Sequence, residues 1–199
     1  MSNYDGGSGA TSEEEISDSY VFGYTRVGNA ILASSHNIGG FNLFTRDGEA
    51  LKLDQSKHEL VGEWKYEEQW PQEESKHMYN QYFATFKADG SYEYGMRAWN
   101  SIDKWYNQGY MRTGHFVDLT NDVLKGRFKD LSIPEGTKGI VLADQYDYYW
   151  DFNTQSWILS ALRQGGEPSE YVISNGKLYL GHAGTDATAL QESYPYERK

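Results

Sequence analysis

Three groups of residues in this chain have types and spacing that suit chemistry. The first is Trp99-Asn100-Ser101-Ile102-Asp103-Lys104-Trp105-Tyr106-Asn107, which places three aromatic rings among amide and carboxylate groups. Rings supply large, rigid contact area and amides supply directed hydrogen bonds. That mixture suits a sugar ring or a flat apolar ligand. The competing reading has Trp99 and Trp105 plugging one end of a barrel. The second group is Asp144, Asp147 and Asp151, set among Tyr146, Tyr148, Tyr149 and Trp150. Calcium needs six to eight oxygen ligands from a tight loop. Three aspartates spread along a strand do not converge that way, so they read as a solvated outer face. On that reading Tyr146, Tyr148, Trp150 and Phe152 alternate into the core. The third group, Glu67-Glu68 and Glu73-Glu74, invites comparison with the paired carboxylates of glycosidases. Their place in or beside a charged loop makes solvation the simpler account.

Other catalytic patterns are missing. His36, His58, His77, His115 and His182 are scattered without metal-ligand spacing. Gly6-Gly7-Ser8-Gly9 belongs to a polar tail rather than to a strand-to-helix nucleophile elbow. No phosphate loop or dinucleotide fingerprint occurs. No catalytic residue, metal ligand or cofactor is therefore assigned. The absence of cysteine excludes thiolate catalysis, disulfides and cysteine-bound metals. A formal charge of −11 offers no cationic footprint for nucleic acid. No apolar run approaches the roughly 20 residues that span a bilayer as a helix.

The elements that must position these residues are strands. The 17 Tyr, 8 Phe and 6 Trp favour pleated, half-buried surfaces. In Leu60-Val61-Gly62-Glu63-Trp64-Lys65-Tyr66, apolar or small residues alternate with charged ones, the period of a strand buried on one face. Asp89-Gly90 and Asn175-Gly176 mark hairpin turns that need positive φ. Strands are predicted at Tyr79–Lys87, Tyr92–Arg97, Gly109–Leu119, Val123–Phe128, Gln145–Phe152, Trp157–Arg163, Glu170–Ser174, Lys177–Gly181 and Tyr194–Arg198. Long loops are expected at 98–108 and 130–144. Ahead of Leu60, short strands at Tyr20–Thr25, Asn29–Ser34 and Phe41–Thr45 form an accessory meander or cover the main sheet. The chain thus divides into a polar tether over 1–19, a β-rich extension over 20–59, and a main domain over 60–199. The eight to ten strands of that last part suffice to close a barrel.

Leu60-Val61-Gly62-Glu63-Trp64 resembles the first-strand Leu-x-Gly-x-Trp signature of bacterial lipocalin-like domains. Phe83-Ala84-Thr85-Phe86-Lys87-Ala88-Asp89-Gly90-Ser91-Tyr92 resembles their next hairpin. The resemblance covers about residues 60–199. It implies an all-β, antiparallel up-and-down barrel with Trp64 packed at its floor against a basic side chain of the last strand. Arg198 is the natural partner and Arg163 the fallback. It further implies a non-enzymatic binding protein that encloses a small apolar or amphipathic molecule. Tyr82, Phe86, Tyr92 and Tyr94 would line the interior, with Trp99, Trp105 and Tyr106 at the mouth. The acidic, Ser- and Gly-rich head resembles the tether that follows a lipidated cysteine, with Met1 standing in that cysteine's place. Export to the periplasm or cell surface, with a lipid anchor upstream, is the matching expectation. An ordinary disordered N-terminus is the alternative. Two other functions stay open: a surface module that uses exposed aromatics to hold a glycan or a protein, and a hydrolase or isomerase on a barrel scaffold.

Overall fold

The structure is a computed structural model that describes residues 22–35, 40–70, 76–119, 133–162, 165–182 and 184–199. Three short strands, β1 (Phe22–Val27), β2 (Ala30–Ser35) and β3 (Gly40–Phe44), make a small antiparallel sheet in sequence order. The main sheet comprises β4 (Gly62–Gln69), β5 (Met78–Phe86), β6 (Ser91–Asn100), β7 (Trp105–Asp118), β8 (Lys138–Asp151), β9 (Ser156–Leu162), β10 (Glu167–Ser174), β11 (Lys177–Leu180) and β12 (Tyr196–Arg198). A single short helix, α1 (Ala187–Gln191), precedes the last strand among the described residues.

The main sheet closes on itself. Consecutive strands pair from β4 to β9, β12 pairs with β4, and β10 pairs with β11 and also with the first half of β8. Leaving β9 aside, the remaining eight strands form an antiparallel up-and-down barrel, which removes most exposed edges. β8 divides the work: Lys138–Leu142 pairs with β10, and Tyr146–Asp151 pairs with β9. β8 changes partner between Leu142 and Tyr146, and its register with β7 shifts there, between Asp144 and Tyr146. The β8–β9 hairpin therefore projects beyond the wall.

The turns obey their residues. Asn175 and Gly176 hold φ values of 52° and 76°, which only a type I′ hairpin requires of both central residues. Asp89 accepts from the Ser91 amide at 2.9 Å and leaves φ of 80° to Gly90. The interior face follows from the register. Trp64 opposes Ala84, Ala84 opposes Tyr94, and Tyr94 opposes Arg112. One end is filled by Trp64, Phe86, Tyr92, Phe116, Ile140 and Tyr171, with Leu60 packed beneath them. Phe86 meets Phe116 edge to face at 5.1 Å.

The small sheet explains the apolar runs of β7 and β8. Val117, Val141 and Ala143 face outward, yet Leu32 and Phe41 cover them in a second core. A backbone pair joins the two sheets, with Phe41 and Gly166 exchanging N–H···O bonds of 2.7 Å. β1 to β3 are therefore strands laid over the barrel wall.

Several expectations need correction. The 98–108 segment is not a long loop. Trp99 and Asn100 end β6, Trp105 begins β7, and only 101–104 turn. Alternating ring-rich residues favour ladder pairing, and Asn100 Oδ1 accepts from the amides of Ile102 and Asp103 to tighten the turn. Residues 138–144 likewise lie in β8 rather than in a loop. Tyr146 and Phe152 are 38% and 41% exposed: the register of β8 with β7 skips one residue between Asp144 and Tyr146, which puts Asp147 rather than Tyr146 beside Arg112, and Phe152 lies in the turn after β8. The small, polar stretch after Gly181 holds α1, whose start is set by Asp186 accepting from the amides of Thr188 and Ala189. The strand expected at Val123–Phe128 and the fallback partner Arg163 lie outside the described residues.

Candidate functional site

Seven strands and one strap build a cavity of about 510 Å³ in the end of the barrel opposite the Trp64 floor. β5, β6 and β7 turn Tyr82, Tyr94, Tyr110 and Arg112 inward, since each sits on the same alternate face of its strand. β12 adds Tyr196, and β8 and β10 add Leu142 and Ser169. The strap is the chain from Gly181 to Tyr194, which crosses the mouth with α1 in its middle. Leu190 of α1 is fully buried, and a Cβ on Gly181 would lie 2.4 Å from its Cδ2. Glycine at 181 thus lets the helix settle against β11. Tyr194 stacks on Tyr82 at 4.6 Å between centroids and on Tyr66 at 5.3 Å. These rings line and roof the cavity.

Its electrostatics are close to neutral. Arg112 Nη1 donates to the Tyr94 hydroxyl at 2.7 Å, and its Nε lies 3.2 Å from Asp147 Oδ1. The one guanidinium on the wall therefore carries its own counter-charge. Burial pushes the phenols of Tyr82, Tyr110 and Tyr196 upward, and the neighbouring Tyr194 hydroxyl adds to the shift at Tyr82. All three stay protonated at neutral pH and act as uncharged hydrogen-bonding groups. No activated nucleophile or acid–base pair faces this space among the described residues. The arrangement suits enclosure of a flat molecule whose rim carries a few polar atoms.

Tyr82 and Tyr94 line this cavity. Phe86 and Tyr92 lie deeper, 2% and 1% exposed, and belong to the packed floor. Trp64 is also buried, and Arg198 Cζ sits 4.6 Å from its ring centroid. Arg198 Nη2 donates to Glu59 O at 2.7 Å, which ties the loop beneath the floor to the last strand.

Trp99, Trp105 and Tyr106 lie elsewhere, on the projecting hairpins. Trp99 packs against Tyr106 at 4.9 Å, and Trp105 against Phe152 at 5.3 Å. Trp105 and Phe152 are 38% and 41% exposed. Beside them Arg97 is ringed by Tyr106 at 3.8 Å, Trp150 at 5.3 Å, Phe83 at 5.7 Å and Trp157 at 5.9 Å. Gln155 clamps the two hairpins, accepting from the Tyr106 amide and donating to Tyr106 O. The second group of sequence candidates separates too. Asp147 serves Arg112, while Asp151 accepts from the Asn153 amide and the Thr154 hydroxyl in its own turn.

Sequence reasoning missed Tyr110, Arg112, Tyr194 and Tyr196 as cavity residues. The alternation Tyr110, Arg112, Gly114, Phe116 carries a usable signal, because Phe116 is a natural core residue and fixes the phase. Tyr194 carries none, since its position depends on how the strap folds back. No protein-family model, curated protein or solved structure matches this chain.

Proposed function

We propose that this is a non-enzymatic binding protein of the bacterial lipocalin-like kind, exported to the periplasm or cell surface, that encloses a small amphipathic ligand in the open half of its barrel. The cavity beneath the Tyr194 strap carries this reading. About 510 Å³ lies within the size range of small-molecule sites, and ring faces dominate its walls. Neutral phenols and a compensated arginine favour a ligand that is flat and uncharged, or weakly polar at one edge. A charged ligand would have to displace Asp147 from Arg112. The acidic, glycine-rich head supports export on a tether.

Native mass spectrometry and thermal-shift screens against lipids, haem-like molecules and aromatic metabolites test the proposal. A bound mass that Tyr110→Ala and Tyr194→Ala both weaken supports it. Failure of every class to bind or to raise the melting temperature ends it.

The exposed pair Trp105 and Phe152 supports a second reading, a surface module for glycans. Trp105→Ala separates the two. Loss of glycan-array binding at unchanged melting temperature favours the surface module over the barrel.

A further inference from the structure

The outer face of the main sheet carries an arginine that the fold leaves without a counter-charge. Tyr82 and Tyr94 point into the barrel, so Phe83 on β5 and Arg97 on β6 point outward. Arg97 stands opposite Gly109, and a Cβ on that glycine would lie 2.9 Å from Arg97 Cγ. Glycine there lets the arginine stem lie flat along the sheet. Its Cζ rests over the ring of Tyr106, 3.8 Å from the centroid, with Trp150, Phe83 and Trp157 at 5.3, 5.7 and 5.9 Å. The rings form a row. Trp99 lies 4.9 Å from Tyr106, Tyr106 5.3 Å from Trp150, Trp150 5.1 Å from Trp157, and Trp157 6.2 Å from Phe83. All five are partly exposed.

The guanidinium has a definite direction. Its Nε is buried. Nη1 and Nη2 make no hydrogen bond or ion pair among the described residues, and neither belongs to the buried, unsatisfied atoms, so both reach solvent. The Nη edge is therefore presented outward from among the rings. The spacing of its two donors is set by the guanidinium itself and matches the two oxygens of a carboxylate. The chain has 29 acidic residues, yet Arg97 forms no ion pair with any that is described. Glu67, two strands away in the same row, accepts from Gln81 Nε2 at 2.6 Å instead. Aromatic faces stabilise a cation but do not neutralise it. The recess beside Arg97 holds about 70 Å³ and is shared with Lys65, Glu67, Gln81 and Phe83. That admits a carboxylate but not a ring, so the body of a ligand has to lie on the open row of aromatics.

We propose that this outer face binds a glycan carrying a uronic acid residue, with the sugar carboxylate on the Nη edge of Arg97 and neighbouring sugars laid across Trp150 and Trp157. An open, flat surface suits a chain that runs along it better than a small molecule that needs enclosure. Broad, rigid rings suit the apolar faces of sugars. One guanidinium in a chain of formal charge −11 favours a single carboxylate among neutral sugars over a polyanion. The site lies on the opposite face of the sheet from the barrel cavity and stands whether or not that cavity holds a ligand.

Calorimetric titration with a glucuronic-acid-substituted xylooligosaccharide tests the proposal, with the methyl ester of the same oligosaccharide for comparison. The acid should bind at least about tenfold more tightly than the ester, the scale of a charged hydrogen bond. Arg97→Met keeps the volume under the rings and should lose the same factor. Should that variant fail to fold, the comparison of acid and ester on the unaltered protein decides. No binding of the acid, equal affinity for acid and ester, or unchanged affinity in a folded Arg97→Met overturns the proposal. Equal affinity for triglutamate would assign the site to an acidic peptide, and full displacement by an equal concentration of benzoate would assign it to a small carboxylate; either result overturns it too.

Discussion

Arg198 lays its guanidinium over the ring of Trp64, 4.6 Å from the centroid, while donating to Glu59 O at 2.7 Å. Trp64 in turn donates from Nε1 to Leu60 O at 2.8 Å. The two side chains pin the loop beneath the barrel to its first and last strands. The guanidinium is exposed, so the cation–π contact contributes about 0.5–1 kcal/mol, and the charged hydrogen bond about 1.5 kcal/mol. Arg198→Ala is expected to cost about 2 kcal/mol in urea unfolding. A double-mutant cycle with Trp64→Leu should show coupling of about 1 kcal/mol. Additive effects would mean that the stacking contributes nothing.

Two glycines separate packing from backbone conformation. A Cβ on Gly166 would stand 1.9 Å from Leu142 O and 2.5 Å from Ala143 Cα, where β10 meets β8 and the small sheet attaches. Gly166→Ala is expected to cost more than about 3 kcal/mol, because backbone must move. Gly176 has φ of 76° and nothing within 4 Å. Gly176→Ala should cost only about 1 kcal/mol, the strain of a left-handed alanine. Equal melting temperatures for the two variants would refute the contrast.

The four rings around Arg97 hold a guanidinium whose Nε is buried without a hydrogen-bond partner among the described residues. Burial lowers its pKa, so the charge is tolerated rather than needed. Arg97→Ala removes the stem on which the rings pack and is expected to cost about 2–3 kcal/mol. Arg97→Met fills the same space and should stay within about 1 kcal/mol of the unaltered protein. Chemical denaturation of both variants makes the comparison. An equal loss for Met and for Ala would show that the charge matters more than the volume.

Acid stability should depend on two histidines. Burial lowers the pKa of His58 and of His115 from the ordinary value of 6.5. Below that value the unfolded chain takes up protons that the folded protein refuses, so stability falls as pH drops toward the folded pKa values. Above about pH 6.5 the contribution is complete. Asp118 works in the opposite sense: burial raises its pKa from 3.8, so its neutral form favours the fold and stability is lost as pH rises through that lower window. Urea midpoints should decline from about pH 7 to about pH 5, and His115→Gln should flatten the decline. An unchanged slope in the variant would assign it elsewhere.

How much of this was legible depended on the range of the interaction. Leu60 to Tyr66 declares a half-buried strand, because side chains in a strand alternate and only one face meets the core. Asn175-Gly176 declares its hairpin, because few residues accept positive φ twice in succession. From these local preferences the antiparallel meander and the place of Trp64 in it could be read. The Trp99–Asn107 segment misled, because a ring-rich sequence suits a ladder as well as a loop and only its partners decide. An irregularity between Asp144 and Tyr146 shifts the phase of β8, so Tyr146 emerges to solvent, and the turn after Asp151 exposes Phe152. The covering of Val117 and Val141 by Leu32 and Phe41 depends on contacts between distant parts of the chain. So does the strap that brings Tyr194 onto Tyr82. The sequence by itself determined strand period, turn chemistry and the all-β class, since these arise between neighbours along the backbone. Only the tertiary structure decided which half of the barrel is filled and which is open, since that depends on volumes contributed by strands far apart in the chain.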